Sequence, residues 1–524
     1  MLSSITLTPL CLRQRQQPAL TEQPPCLLCR IHASENLGPF IAKFTNAYGG
    51  INAARRRLHL VTHENHLRYG SVFRQAPNRL IFNTVTSLQD IYLNPQVTKG
   101  QGYADSRLLP TPNLFDTLDQ VDHGRKRRII GKVLSEQSMR IFEPTLSIEV
   151  NIFLRELLRS SQQNETIDMS RRCQRLSADV ICQLGFGYPL RTQTEDTNRP
   201  LLEAFVAITA RMGLYMNWAA TSVILDPLIE WLAKKASDDF TKSVEGMVKA
   251  RIDLPKDARF DLYNVALSDK IGSEEGIRDS ELWAEAVFFI TAGGTTTGTL
   301  MSAVFFYLSR HPEVYAKLAS EIRGTFSSGR EISNGPKLIS CRYLRAVIDE
   351  CLRISPASIG TLWRQQDLTI TLHERKPFIV DGHLIPPGTQ VGISPYSLLH
   401  NAAYFPEPFE FRPERWLEDG PKAELSRRAF APFAIGDRSC GGRQLAYLET
   451  RLAVARALWY FDFEKARGEA GEVGGGKSGG DKLRSRPDEF QLQDVIVAEH
   501  DGPNLIFKPR GESWRELVEE QKED

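Results

Sequence analysis

The chain has 524 residues, 59.1 kDa, with 41% hydrophobic and 25% charged residues. This is globular composition; it excludes a mainly disordered chain and allows a large core without disulfide or metal staples. Lys+Arg number 65 against Asp+Glu 64, a net charge of +1 that gives no global field for nucleic acid or for cations, and eight scattered cysteines favour a reduced, cytosol-facing protein over a secreted disulfide framework.

Residues 1–35 read as an irregular leader. Met1–Leu12 is apolar but too short to span a bilayer, and Arg13 and Arg15 follow at once. The stretch lacks the basic start and small-residue cleavage site of a secretory signal, while the lack of acid before Glu22 keeps an organelle-transit reading open. Cys26 and Cys29 have no second CxxC pair, and Arg30 stands where a c-type haem attachment needs His, so they read as incidental. From residue 36 onward the chain reads as continuously folded and without repeats.

Strands are expected at Ser71–Gln75, Arg79–Asn83 and Gln390–Ser394, with mostly helix between 130 and 350. Leu344, Val347, Ile348, Cys351 and Leu352 form one helical apolar stripe. The basic run Arg125–Arg128 reads on its own as a solvated face, too short for nucleic acid. Ala286–Leu308 carries no charge and, at about 35 Å as a helix, is long enough to cross a bilayer. It also holds Gly294-x-x-x-Gly298. Its Thr291, Thr295, Thr296, Thr297 and Thr299 suit a buried core helix that offers hydroxyls to a ligand better than a lipid-facing one.

Repeated proline makes Phe405–Trp416 a non-helical meander, and helix resumes over Arg443–Tyr460. The Gly-rich segment 467–481 reads as a flexible surface insertion, and 513–524 as a charged tail. Gly471 to Ser478 fits the P-loop pattern GxxxxGK[ST] but lacks the strand before it and the helix at Lys477, so nucleotide binding is rejected.

Chemistry concentrates in Phe433-Ala-Ile-Gly436-Asp-Arg438-Ser-Cys440-Gly-Gly442. Cys440 stands at the mouth of a helix and next to Arg438, a setting that favours thiolate. Gly436 and Gly442 would leave room for a flat ligand, and Phe433 would shield the sulfur. The pattern describes an axial thiolate to haem iron, with Arg438 available for a haem carboxylate. A cysteine nucleophile lacks a positioned base, His400 being distant, and structural zinc lacks a second ligand.

This block resembles the haem-ligand signature of the cytochrome P-450 monooxygenases, FxxGxRxCxG. Glu350-Cys-Leu-Arg353 is similar to the family's ExxR, and Phe411-Arg-Pro-Glu-Arg415-Trp416 to its PERF/PERW element. The resemblance implies a buried network of Glu350, Arg353 and Arg415 behind the haem loop. Ala292-Gly293-Gly294-Thr295-Thr296-Thr297 resembles the oxygen-activation segment AGx[DE]TT, with Thr295 where the family has an acid. It implies that Gly293 opens the groove over the iron and that Thr296 bonds to dioxygen. His123 and Arg127 resemble a WxxxR pair and, with Arg364, would meet the propionates.

Over residues 36–512 the resemblance implies a mainly α catalytic domain with a smaller β-rich lobe, the cytochrome P-450 fold, closest in texture to fungal secondary-metabolite members. It implies haem b, electrons from NADPH through a separate reductase with cytochrome b5 as an optional donor, and hydroxylation of a C–H bond in a small hydrophobic substrate. Family members sit on the cytoplasmic face of the endoplasmic reticulum; with no evident anchor, peripheral contact, a soluble form or an altered N-terminus are the options. Three alternatives compete: a thiolate-haem isomerase or dehydratase needing no dioxygen, a non-catalytic haem-binding protein, and a membrane interaction protein built on Ala286–Leu308.

Overall fold

The computed structural model describes residues 38–255, 261, 279–370 and 376–523. The leader reading for 1–35, with Cys26 and Cys29, falls outside them. Local chemistry sets most helix starts. Thr84 caps α3 (Val85–Tyr92; α1 is Ala47–Ala54 and α2 Leu58–Tyr69) by accepting the Ser87 N–H at 3.0 Å. Asp119 caps α4 (Gln120–Val133), Ser135 caps α5 (Glu136–Gln162) and Asp168 caps α6 (Met169–Phe186) in the same way. After α7 (Pro200–Asn217) and α8 (Ser222–Ile252) comes α9 (Asp279–Arg310), which stops where Pro312 starts α10 (Pro312–Thr325). The series closes with α11 (Arg342–Ile354), α12 (Arg443–Tyr460) and α13 (Arg515–Glu523).

The expected strands form within one residue of their reading. A five-stranded sheet has the order β1-β2-β5-β4-β3, with β1 Val72–Ala76, β2 Arg79–Phe82, β3 Val97–Lys99, β4 Arg364–Gln366 and β5 Gln390–Ile393. All its pairings are antiparallel except β2 with β5. Phe82, Val391 and Ile393 join Leu88 and Ile91 of α3 in a separate apolar cluster, so this sheet is the core of a smaller β-rich lobe beside the helical body.

The uncharged stretch at 286–308 is the centre of α9, and 78% of its apolar window is buried inside the fold. Its glycines explain how. A Cβ on Gly298 would lie 2.9 Å from the Gln174 Cα, and one on Gly293 would lie 2.5 Å from the Ile181 side chain. The small-residue stripe lets α9 lie backbone-close along α6 within the protein's own core.

Two segments of irregular composition carry definite structure. The 467–481 stretch folds back on the body: Gly476 and Lys477 donate their N–H groups to Arg486 and Arg484 carbonyls at 2.9 and 3.0 Å, and Arg310 reaches the Gly471 carbonyl at 2.8 Å. Its glycines let backbone approach backbone closely, as where Gly475 and Gly476 meet Pro487 and Arg486. A strand, Phe461–Lys465, does precede the P-loop match, but a turn follows Lys477 where that motif needs a helix. The charged tail contains α13, anchored by buried Leu517 and by Glu516, which accepts from the Tyr460 hydroxyl at 2.9 Å.

Candidate functional site

On α11, Glu350 and Arg353 are both fully buried and meet through two parallel bonds, Nε–Oε2 at 2.9 Å and Nη2–Oε1 at 2.8 Å. Arg415 adds Nε to Oε1 at 3.0 Å, Trp416 donates its indole N–H to Oε2 at 2.9 Å, and the Arg412 N–H donates to Oε1 at 3.0 Å. Arg353 also spans the meander, donating to the carbonyls of Leu399, Pro408 and Glu410. Burial raises the Glu350 carboxyl, but Arg353 and Arg415 outweigh it and hold the group below its ordinary value. The helix is enclosed on all sides here: Ala346 to Ile354 are all buried. Every charge in this network has a partner.

The cysteine loop leads into α12 at the position expected. Its ends are tied by the Cys440 N–H, which donates to the Phe433 carbonyl at 2.9 Å, and Ala434 is held at a left-handed φ of 55°. Protein surrounds Cys440 on every side, yet its own surface is open, so the sulfur faces an interior chamber. Burial pushes the thiol upward; the N–H groups of Gly442 and Arg443 and the charges of Arg127 and Arg443 pull it back.

Three roles change here. Arg438 does not serve the sulfur: it donates to the Thr117 and Leu118 carbonyls at 2.7 and 3.1 Å, and Arg127, beside Gly441, supplies charge instead. Gly436, at φ 77°, does not make room for a flat ligand, because a Cβ there would collide with the Tyr92 carbonyl. Gly293 does not open a groove; Ile181 of α6 fills the space beside it. Gly442 keeps the sulfur 3.8 Å from where its Cβ would be, and Phe433 packs against Tyr447 with ring centres 5.4 Å apart.

Near this loop lies a second set of basic side chains, Lys99, His123, Arg127, Arg364 and Arg438. Their hydrogen bonds go to neutral oxygens: Lys99 to the Leu114 carbonyl at 3.0 Å, Arg438 as above, and Arg364 to the Trp363 carbonyl and the Tyr103 hydroxyl. Their mutual repulsion is visible in their protonation. Burial, then Arg438, Lys99, Arg127 and Arg364, pushes His123 down to about 2; burial, then Arg438 and Arg364, pushes Lys99 well below its ordinary value. Burial and Arg364 lower Arg438 to about 10. A buried cation cluster of this kind fits a ligand that brings negative charge. With one sulfur at a helix mouth nearby, the donor set fits haem, a metal-bearing ring with two carboxylates.

On α9 the half-open positions Phe288, Ala292 and Thr296 share one face, and Thr296 donates to the Ala292 carbonyl at 2.8 Å. Thr295, one residue earlier, points about 100° away from Thr296. It is buried, donates to the Thr291 carbonyl at 3.0 Å, and borders a different cleft of about 270 Å³ shared with Arg175, Glu203 and His500. The two threonines therefore face different surroundings.

Sequence reasoning missed Lys99 and Lys126. Lys99 had no signal around it. Lys126 did: Ile129, Ile130 and Val133 mark the buried face of α4, and helical spacing places 123 and 126 on that face. The run read as a solvated surface carries a lysine with no exposed side-chain area.

The family model described as Cytochrome P450 matches residues 48–475. The chain is 31% identical over 495 residues to cytochrome P450 monooxygenase atnE of Emericella nidulans, covering 90% of this chain and 91% of that one. It is 32% identical over 488 residues to cytochrome P450 monooxygenase AKT7 of Alternaria alternata, covering 90% and 92%. It is 32% identical over 509 residues to cytochrome P450 monooxygenase apf7 of Gibberella fujikuroi, covering 90% and 93%.

Proposed function

Because this chain belongs to the cytochrome P450 family, we propose an assignment of its residues to that family's reaction. The protein is a haem-thiolate monooxygenase acting on an organic substrate with electrons from a redox partner. The isomerase, non-catalytic and membrane-interaction alternatives are not favoured.

Cys440 would hold the haem iron through its sulfur. The observation that carries this is its sulfur, facing an interior chamber at the N-terminus of α12 under the N–H groups of Gly442 and Arg443. Haem, when bound, supplies oxygen activation at its iron, where a thiolate favours O–O cleavage. The chain does the rest. Arg364, Arg438, Lys99 and His123 hold the two carboxylates, and Arg127 steadies charge on the sulfur. Phe288, Ala292 and Thr296 bound the substrate side. Thr296 would turn its hydroxyl from the Ala292 carbonyl, pass its proton onward and take one back from water, so that the hydroxyl is left intact. Thr295 has no acid to contribute, so protons arrive through hydroxyls and water. Glu350, Arg353 and Arg415 brace the meander that carries the loop.

The electrons come from NADPH through a separate reductase, with cytochrome b5 as an optional donor. The substrate is a small hydrophobic molecule of fungal secondary metabolism, and residues 36–512 are the catalytic domain. The reading also includes peripheral contact with the cytoplasmic face of the endoplasmic reticulum. It is supported by exposed Phe40, Ile41 and Phe44 and by exposed Val223 and Ile224, on segments that adjoin where Gly50 of α1 meets Trp218.

The carbon-monoxide difference spectrum of the reduced protein tests the assignment. A strongly red-shifted Soret band in the wild type, lost in Cys440→Ser, is expected. The same band in Cys440→Ser would overturn the ligand, and a folded wild type without haem would overturn the whole reading.

A further inference from the structure

Between α4 and α9 the segment 112–118 crosses the side of the chamber, and its carbonyl oxygens are gripped in succession by basic side chains. Lys126 donates to Pro112, Lys99 to Leu114 at 3.0 Å and Phe115 at 2.5 Å, Arg107 to Asp116 at 3.2 Å, and Arg438 to Thr117 at 2.7 Å and Leu118 at 3.1 Å. One main-chain N–H is gripped from the other side: Leu114 donates to Glu285 Oε2 at 3.1 Å. Glu285 is 2% exposed and pairs with the fully buried Lys126, Nζ to Oε1 at 3.2 Å, with Glu281 Oε1 3.4 Å from the same nitrogen.

A buried ion pair is rarely the most stable way to fill a core, since apolar residues of equal volume often do as well or better. This pair is placed where it fixes a wall. Phe115 stands on the gripped segment, stacks on Phe288 of α9 with ring centres 5.9 Å apart, and packs on Tyr103 at 5.0 Å. It borders a crevice with Gly213, Met216, Gly360, Thr361 and Ile496, so four separate parts of the chain converge on it. Phe288 belongs to the half-open face of α9 that also carries Ala292 and Thr296.

We propose that Lys126 and Glu285 are the clasp of this strap and act as positioning residues, setting the width of the chamber by holding Phe115 against Phe288. The occupant that reads this wall is an apolar molecule that packs against the exposed side of the stacked pair. The inference rests on the monooxygenase reading for what the chamber holds; the clasp itself does not depend on it.

The test uses the holoenzyme and two variants. Lys126→Met/Glu285→Leu replaces the pair with apolar side chains, an exchange that folds in comparable cases. Glu285→Gln keeps an acceptor for the Leu114 N–H and removes only the charge. Amide exchange over 112–118 and the Kd of 1-dodecylimidazole, read from the Soret shift, are measured beside the carbon-monoxide band. The double variant should keep the band, exchange the strap on the order of tenfold faster and bind the probe about tenfold more weakly. Glu285→Gln should fall between it and the wild type. Unchanged strap exchange in a folded, haem-loaded double variant would overturn the clasp, as would unchanged probe affinity. Should the double variant fail to accumulate, Glu285→Gln decides alone: faster exchange supports the clasp and unaltered exchange sinks it. A wild type without the band, with strap exchange still accelerated in the variants, would fault the haem reading and leave the clasp standing.

Discussion

Two buried basic clusters among the described residues differ in how far their charge is balanced. Around Glu350, the guanidinium groups of Arg353 and Arg415 share one carboxylate that also takes an indole N–H and a main-chain N–H. Around His123, the basic groups of Lys99, Arg127, Arg364 and Arg438 meet carbonyls, hydroxyls and one another. The first network satisfies itself and braces a loop. In the second, Asp116 and Glu285 near Lys99 and Asp119 and Asp437 near Arg438 offset the repulsion only in part, and a dianionic ligand relieves the rest. Electrostatic balance separates the two where residue type does not.

The comparison can be broken most sharply at Glu350. Glu350→Gln strands two buried arginines, and loss of about 3–5 kcal/mol of stability is expected, measured by denaturant unfolding. An unchanged midpoint would mean the network braces nothing. Trp416→Phe removes a single charge-assisted bond and should cost about 1.5–3 kcal/mol in the same assay.

The other cluster should respond with the opposite sign. Arg364→Met relieves repulsion, so the apoprotein should become more stable by about 1 kcal/mol while haem is retained more weakly. A destabilised apoprotein would place Arg364 in the self-satisfied class. The smallest effect is in pH. An unfolded chain protonates His123 near its ordinary value of about 6.5, whereas the folded apoprotein refuses that proton until about 2. The contribution is therefore fully present above about pH 6.5 and is lost as pH falls toward 2. His123→Asn should flatten that part of the apoprotein's acid-stability curve, and an identical curve would show that the imidazole is not repelled.

The sequence by itself determined the pieces whose chemistry is local. The cysteine loop running into a helix, the i,i+3 spacing of Glu350 and Arg353, three of the strands and the exact span Arg443–Tyr460 follow from glycine placement, helical period and β-branched runs. It could not tell a buried lysine from a solvated one in the run at 125–128, nor a packed Gly-rich segment from a loose one at 467–481, because composition carries no record of what lies across from it. It placed Gly293 and Gly436 toward a ligand, when α6 and the Tyr92 carbonyl occupy those spaces. The tertiary structure alone decided that Thr295 borders a cleft Thr296 does not, that Arg438 grips the strap while Arg127 lends charge to the sulfur, and that Lys126 finds Glu285 across 159 residues of chain. Long-range partners of this kind are set by packing, and packing decides where a buried charge meets its opposite.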